Sequence, residues 1–154
     1  MILPADFQVS INISPQQLRL SKELAKEWRA ILLKKEVLGQ SIVLEITEGI
    51  LLQDDRQIIQ SIFELREAGI RFCLDDFGTG YSNLANIRRL KINRLKVDKT
   101  FVQSIVQSET DRSIVKSVID LANSINAVTV AEGIENEATA NILKTLGCQQ
   151  AQGF

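Results

Sequence analysis

The chain has 154 residues and not one histidine. That removes the Ser–His and Cys–His nucleophile systems and any zinc site with imidazole ligands. Hydrolytic chemistry in such a chain must run on carboxylates, amides, lysine and a hard metal ion such as Mg²⁺ or Mn²⁺. Cysteine is nearly absent too. Cys73 and Cys148 stand alone, in no metal-like spacing, so a reducing cytoplasm fits better than secretion. A net charge of −1 gives neither a nucleic acid polymer nor an anionic membrane as a general partner. No apolar run approaches the length of a membrane span, and Met1-Ile2-Leu3-Pro4 has no basic flank and no signal-peptide core. A cytoplasmic segment without membrane contact of its own is expected, any anchoring being left to other domains of a parent. Aromatics make up 5% of the chain, so no base-stacking platform can be read, and Phe77, Tyr81 and Phe101 are expected to pack.

What is present is 45% hydrophobic and 24% charged, enough for one domain with a sizeable core. The stretch that organises it is Leu74-Asp75-Asp76-Phe77-Gly78-Thr79-Gly80-Tyr81-Ser82-Asn83-Leu84. Two adjacent carboxylates end an alternating apolar run and lead straight into a glycine-rich loop and a helix start. Adjacent aspartates repel unless a cation sits beside them, and a divalent metal suits two oxygens at a strand end. Gly78 and Gly80 let backbone N–H groups approach a ligand. The plainer alternative is an acidic strand-to-helix turn with Asp76 as a cap.

Along the chain, short alternating runs are each followed by a helical pattern. Phe7 to Ile13 places Phe7, Val9, Ile11 and Ile13 on one face and Gln8, Ser10 and Asn12 on the other. A stripe of Leu20, Leu24, Trp28, Ile31 and Leu32 follows, ending near Gly39. Ser41 to Glu48 repeats the design. Asp54 or Asp55 caps the next helix, whose stripe is Ile58, Ile59, Ile62 and Leu65, and Gly69 closes it. Ile70, Phe72 and Leu74 alternate with Arg71, Cys73 and Asp75, before a short helix from about Ser82 with Leu84 and Ile87. Arg94 to Asp98 forms a fourth strand. A helix carrying Ile114, Val115, Val118, Ile119 and Ala122 follows Ser108 to Asp111. Ala127 to Glu132 is a fifth strand ending in Gly133. A helix with Ala138, Ile142, Leu143 and Leu146 is ended by Gly147, and Cys148 to Phe154 could be a sixth strand.

Strand–helix units in this sequence argue for parallel strands with helices outside. A polar second face on most strands suits a barrel interior better than an open parallel sheet. Glu132 breaks this pattern, sharing parity with Val128 and Val130, so a bulge or the Gly133 turn is expected to re-aim it.

Asn12, Glu45, Asp75, Lys96, Glu132 and Gln152 fall at or near strand C-termini, with Glu48, Asp76, Asp98 and Glu135 just beyond. In a βα-barrel this is the face on which active sites are built. So many carboxylates on one rim call for metal ions. Glu45, Asp75, Asp76 and Glu132 supply hard oxygens, Asn12 an amide oxygen, and Lys96 a cation for an anionic substrate. Two metals in such a cluster would clamp an in-line phosphoryl displacement. Lys96 could also form a salt bridge to Asp98 or a neighbour. Glu48 could order the Gly78–Gly80 loop, and Glu135 could simply sit in the first turn of its helix. Gln149, Gln150 and Gln152 are ambiguous between edge-strand groups and base recognition. An enolase-like barrel with Lys96 as base, or a pure interaction module, is also compatible with these residues.

Taken together, Val9-Ser10-Ile11-Asn12-Ile13-Ser14, Leu44-Glu45-Ile46-Thr47-Glu48, the Asp75-Asp76 stretch, Leu95-Lys96-Val97-Asp98, Ala131-Glu132-Gly133-Ile134-Glu135 and Gly147-Cys148 with Gln152-Gly153 resemble the EAL-domain family of cyclic di-GMP phosphodiesterases. The resemblance implies a modified TIM (β/α)8 barrel that hydrolyses cyclic di-GMP to pGpG with Mg²⁺ or Mn²⁺ in a two-metal site. It implies metal ligation by Asn12, Glu45, Asp75, Asp76 and Glu132. Lys96, Glu48 and Glu135 resemble catalytic residues, and Gln152, Thr79 and Gly78 substrate-binding ones. It further implies a homodimer, and regulatory or GGDEF-type domains in a parent chain. The Glu-Ala-Leu signature is not in the chain. Residues 1–154 are therefore expected to be a partial domain of about six of the eight strand–helix units, lacking the first strands and the final helix, with impaired activity. A non-catalytic cyclic di-GMP receptor is the alternative.

Overall fold

A computed structural model describes residues 7–20, 23–52, 55–78 and 84–153. In chain order the elements are β1 (Val9–Asn12), α1 (Pro15–Leu20), α2 (Leu24–Lys34), β2 (Ile42–Thr47), α3 (Gly49–Leu52), α4 (Arg56–Glu67), β3 (Arg71–Phe77), α5 (Leu84–Leu90), β4 (Arg94–Val97), α6 (Lys99–Ser104), α7 (Glu109–Ser124), β5 (Val128–Ile134), α8 (Glu137–Leu146) and β6 (Gln150–Gly153). The strands follow one another in chain order across a 6-stranded sheet. Pairing is parallel between β1 and β2, β4 and β5, and β5 and β6. Alternation of strand and helix dictates this, because a parallel neighbour needs a crossover and a helix supplies it.

The chain divides into two compact units, Met1–Ile46 with Gln53–Cys73, and Thr47–Leu52 with Leu74–Phe154. In the first unit α4 carries the expected stripe, with Ile58, Ile59, Ile62 and Leu65 all buried. Asp55 starts the helix by accepting the amides of Gln57 and Ile58. Asp54, the other candidate cap, lies outside the described residues. α1 docks on α4 through Ser61 Oγ, which donates to the Leu18 carbonyl at 2.8 Å. Gly39 lies so close to Ala68 that a Cβ there would collide with its carbonyl oxygen. Ile31 departs from expectation: it is 56% exposed, and Ala25 and Leu32 form the buried side of α2. β1 is shorter than the run that encodes it and exposed throughout.

In the second unit, α7 buries Val115, Val118, Ile119 and Ala122 and is capped by Ser108, whose hydroxyl accepts the Asp111 amide at 3.1 Å. Asn136 caps α8, and Gly147 ends it at φ +92°. Ala138 is exposed, while Thr139 and Leu143 are buried. Sequence patterning misses α6 altogether. Asp98 begins it by accepting the Thr100 amide at 2.8 Å, and its buried anchor is Val102.

The register corrects the expectation for β5. Lys96 pairs with Val130 and Arg94 with Val128, so both valines share a face with Lys96. Leu95 and Val97 lie with Thr129 and Ala131 on the opposite, fully buried face. Glu132 thus falls on the Lys96 face without re-aiming. The irregularity in β5 lies after it, between Glu132 and Ile134, with Gly133 at φ +71°.

Candidate functional site

Within the second unit the site is built around Lys96. β4 is a strand with one face against helices, so a lysine on its other face near the C-terminus stays in the sheet interior. Lys96 is 7% exposed, and an ammonium so placed requires countercharge. Asp75 from β3 supplies it at 3.2 Å, and Glu132 from β5 forms the second ion pair. The two carboxylates belong to strands on either side of β4 in the sheet order. Asp98, also considered for Lys96, caps α6.

Asp76 sits in the left-handed region at φ +54°, and its amide donates to its neighbour Asp75 at 3.0 Å. Burial, followed by the charges of Asp75 and Asp98, pushes its carboxyl above the ordinary aspartate range, and a side-chain hydrogen bond to Asp98 acts in the same direction. Asp76 thus occupies a locally acidic environment. Glu48 is 5% exposed and accepts the amide of Gly78 at 3.3 Å. Gly78 stands at φ +104°, with the Phe101 ring beneath it. Glu135 precedes the Asn136 cap, not within the first turn of α8, and accepts a hydrogen bond from Gln103 at 3.2 Å. Gln152 is in register with Glu132, and Gln150 with Val130, which puts both glutamines on the Lys96 face. Gln149 instead pairs with Thr129, its side-chain oxygen accepting the Thr129 amide at 2.8 Å.

In the first unit, Asn12 and Glu45 are register partners at the C-terminal ends of β1 and β2, and the Ile13 amide donates to the Glu45 carbonyl at 3.0 Å. Thr79 and Tyr81 lie outside the described residues. Among the described residues, no three Asp, Glu or Cys side chains form a group that could enclose a metal ion; the Lys96 ammonium stands between Asp75 and Glu132. Phe101 packs, as expected, and its ring lies against Gly78; sequence reasoning missed Gln103, because α6 itself went unrecognised.

Parallel strands alternating with helices, and acidic and lysine side chains at strand C-termini, define a partial (β/α)8 barrel with its functional groups at one end of the strands. The EAL domain model matches residues 2–154, and the chain belongs to that family. The bifunctional diguanylate cyclase/cyclic di-GMP phosphodiesterase MucR of Pseudomonas aeruginosa is 33% identical over 150 residues, covering 97% of this chain and 22% of MucR. The solved MucR phosphodiesterase in complex with cyclic di-GMP superposes with a TM-score of 0.89 at 33% identity, over 97% of this chain and 60% of that one. Klebsiella pneumoniae BlrP1, solved with manganese and cyclic di-GMP, gives 0.89 at 30% identity, over 97% of this chain and 38% of BlrP1. The chain spans about a fifth of the length of the curated relatives it matches. Among the described residues no helix is long and apolar enough to cross a membrane.

Proposed function

We propose that the chain is part of a cytoplasmic cyclic di-GMP phosphodiesterase domain that opens one phosphodiester bond to give pGpG. The observation that carries this reading is the buried Lys96 ammonium held by Asp75 and Glu132 at the strand ends of an EAL-family chain. MucR and BlrP1, its relatives, were solved with the same nucleotide.

Asn12, Glu45, Asp75, Asp76 and Glu132 are the residues that would hold Mg²⁺ or Mn²⁺. All are hard oxygen donors of the kind these cations take. Divalent cations bound there would supply charge neutralisation at the phosphate and acidify the attacking water. Lys96, fixed by its two carboxylates, orients that water and stabilises developing negative charge on the phosphate oxygens. Glu48 holds the Gly78 amide and so orders the end of β3 beside Asp75 and Asp76, with Gly78 and Thr79 assigned to the substrate. Gln152, in register with Glu132, contacts substrate from β6, and Glu135 completes the pocket. Six strands among the described residues, where a (β/α)8 barrel has eight, support reading the chain as part of a barrel, with the activity of that part alone impaired. Homodimerisation and a partner GGDEF-type domain belong to the same reading.

The test is pGpG release from cyclic di-GMP with Mg²⁺ or Mn²⁺, measured on this chain and on the chain joined to the N-terminal part of the MucR EAL domain. Slow release by the first and faster release by the second supports the reading. Nucleotide bound but never cleaved by either would make the chain a receptor and overturn it.

A further inference from the structure

Glu135 is fixed by its backbone on both sides. Upstream, β5 ends in the irregularity at Gly133, after which Ile134 pairs with Gly153 of β6. Downstream, Asn136 accepts the Thr139 amide at 2.8 Å and starts α8. The side-chain torsions of Glu135 remain to be set, and Gln103 of α6 supplies a donor to its carboxylate at 3.2 Å. A carboxylate accepts only, so the amide nitrogen of Gln103 must be the group that faces it.

α6 is itself held at the site. Asp98 caps it by accepting the Thr100 amide at 2.8 Å. Its first residue, Lys99, packs so closely on Gly133 that a Cβ there would come within 3.0 Å of the Lys99 Cβ. Lys99 and Gln103, one turn apart on α6, thus both face the Gly133–Glu135 turn. From this geometry we propose that Gln103 is a positioning residue, aiming the Glu135 carboxylate at the end of β5. The proposal rests on the reading that Glu135 serves the nucleotide pocket.

The experiment is a double-mutant cycle. It is read as kcat/KM for pGpG release and, separately, as Kd for cyclic di-GMP in EDTA. Gln103→Ala should weaken one or both by about fivefold, the scale of one typical net hydrogen bond at an exposed position. Gln103→Lys, which keeps a donor of similar reach, should restore the value, and Gln103→Glu should lower it further by repelling Glu135. Adding Gln103→Ala to Glu135→Ala should cost nothing more, with melting temperatures unchanged throughout. Additive losses, or wild-type values for Gln103→Ala in both readouts, overturn the proposal. A readout without nucleotide separates its failure from that of the phosphodiesterase reading: the Glu135 carboxyl ¹³C resonance should move in Gln103→Ala and far less in Gln103→Lys. An unmoved resonance in Gln103→Ala overturns it whether or not the chain cleaves cyclic di-GMP.

Discussion

Glu48, at the end of β2, accepts the backbone amide of Gly78, at the end of β3, at 3.3 Å. Glu48 is almost fully buried, so its carboxylate must be engaged to remain there. Glu48→Ala should lower unfolding free energy by about 2 kcal/mol, the scale of losing a hydrogen bond to a charged group. Urea denaturation of wild type, Glu48→Ala and Glu48→Gln checks this, the glutamine variant being the milder because its amide oxygen still accepts.

Gly78 has the complementary constraint. At φ +104°, with a Cβ only 3.2 Å from the Phe101 ring, it has little room for a side chain. Gly78→Ala should lower both the melting temperature and cyclic di-GMP affinity. Gly78→Ala with Phe101→Leu should regain part of the stability but not the backbone strain.

Removal of the Lys96 ammonium leaves Asp75 and Glu132 facing one another across a mostly buried position. Lys96→Met should therefore cost about 3 kcal/mol, as loss of one member of a buried ion cluster does. It should also reduce pGpG release by about 100-fold or more, as loss of a group acting on the reacting atoms does. Chemical denaturation and product chromatography on the same preparation separate the two effects.

Asp55 gives a pH dependence. The hydrogen bond from Arg19 holds its carboxyl below the ordinary value of 3.8, aided by the amides of Gln57 and Ile58. With the folded-state value lowered, the unfolded chain binds more protons, so the contribution is full above 3.8 and is lost as pH falls through the lower folded-state value. Arg19→Ala should thus lower the melting temperature at neutral pH, and the gap to wild type should close on acidification below 3.8. A gap that stays constant would show that the Arg19–Asp55 pair does not set this carboxyl.

Most strands were legible because they alternate and carry a polar group toward the C-terminal end: Asn12, Glu45, Asp75, Lys96 and Glu132 stand near strand ends as their positions suggest. Helix α4 was legible for the same kind of reason, four buried apolar residues at helical spacing between a capping aspartate and Gly69. The facing of β5 was not, because parity shows which residues lie together but not which side meets the helices. Val128 and Val130 look like core residues, yet the small Thr129 and Ala131 take the covered face. α6 escaped notice because it has six residues and a single fully buried side chain, too short for any period to register. Without α6, Gln103 had no reason to be placed near Glu135.

Hydrolysis at one phosphodiester bond, by water activated beside Lys96, is most directly tested by running the MucR-joined chain in H₂¹⁸O with Mn²⁺ and cyclic di-GMP. The expected product is pGpG with one ¹⁸O on its terminal phosphate, absent from the Lys96→Met variant. Intact cyclic di-GMP after prolonged incubation, or a product without the label, would contradict it.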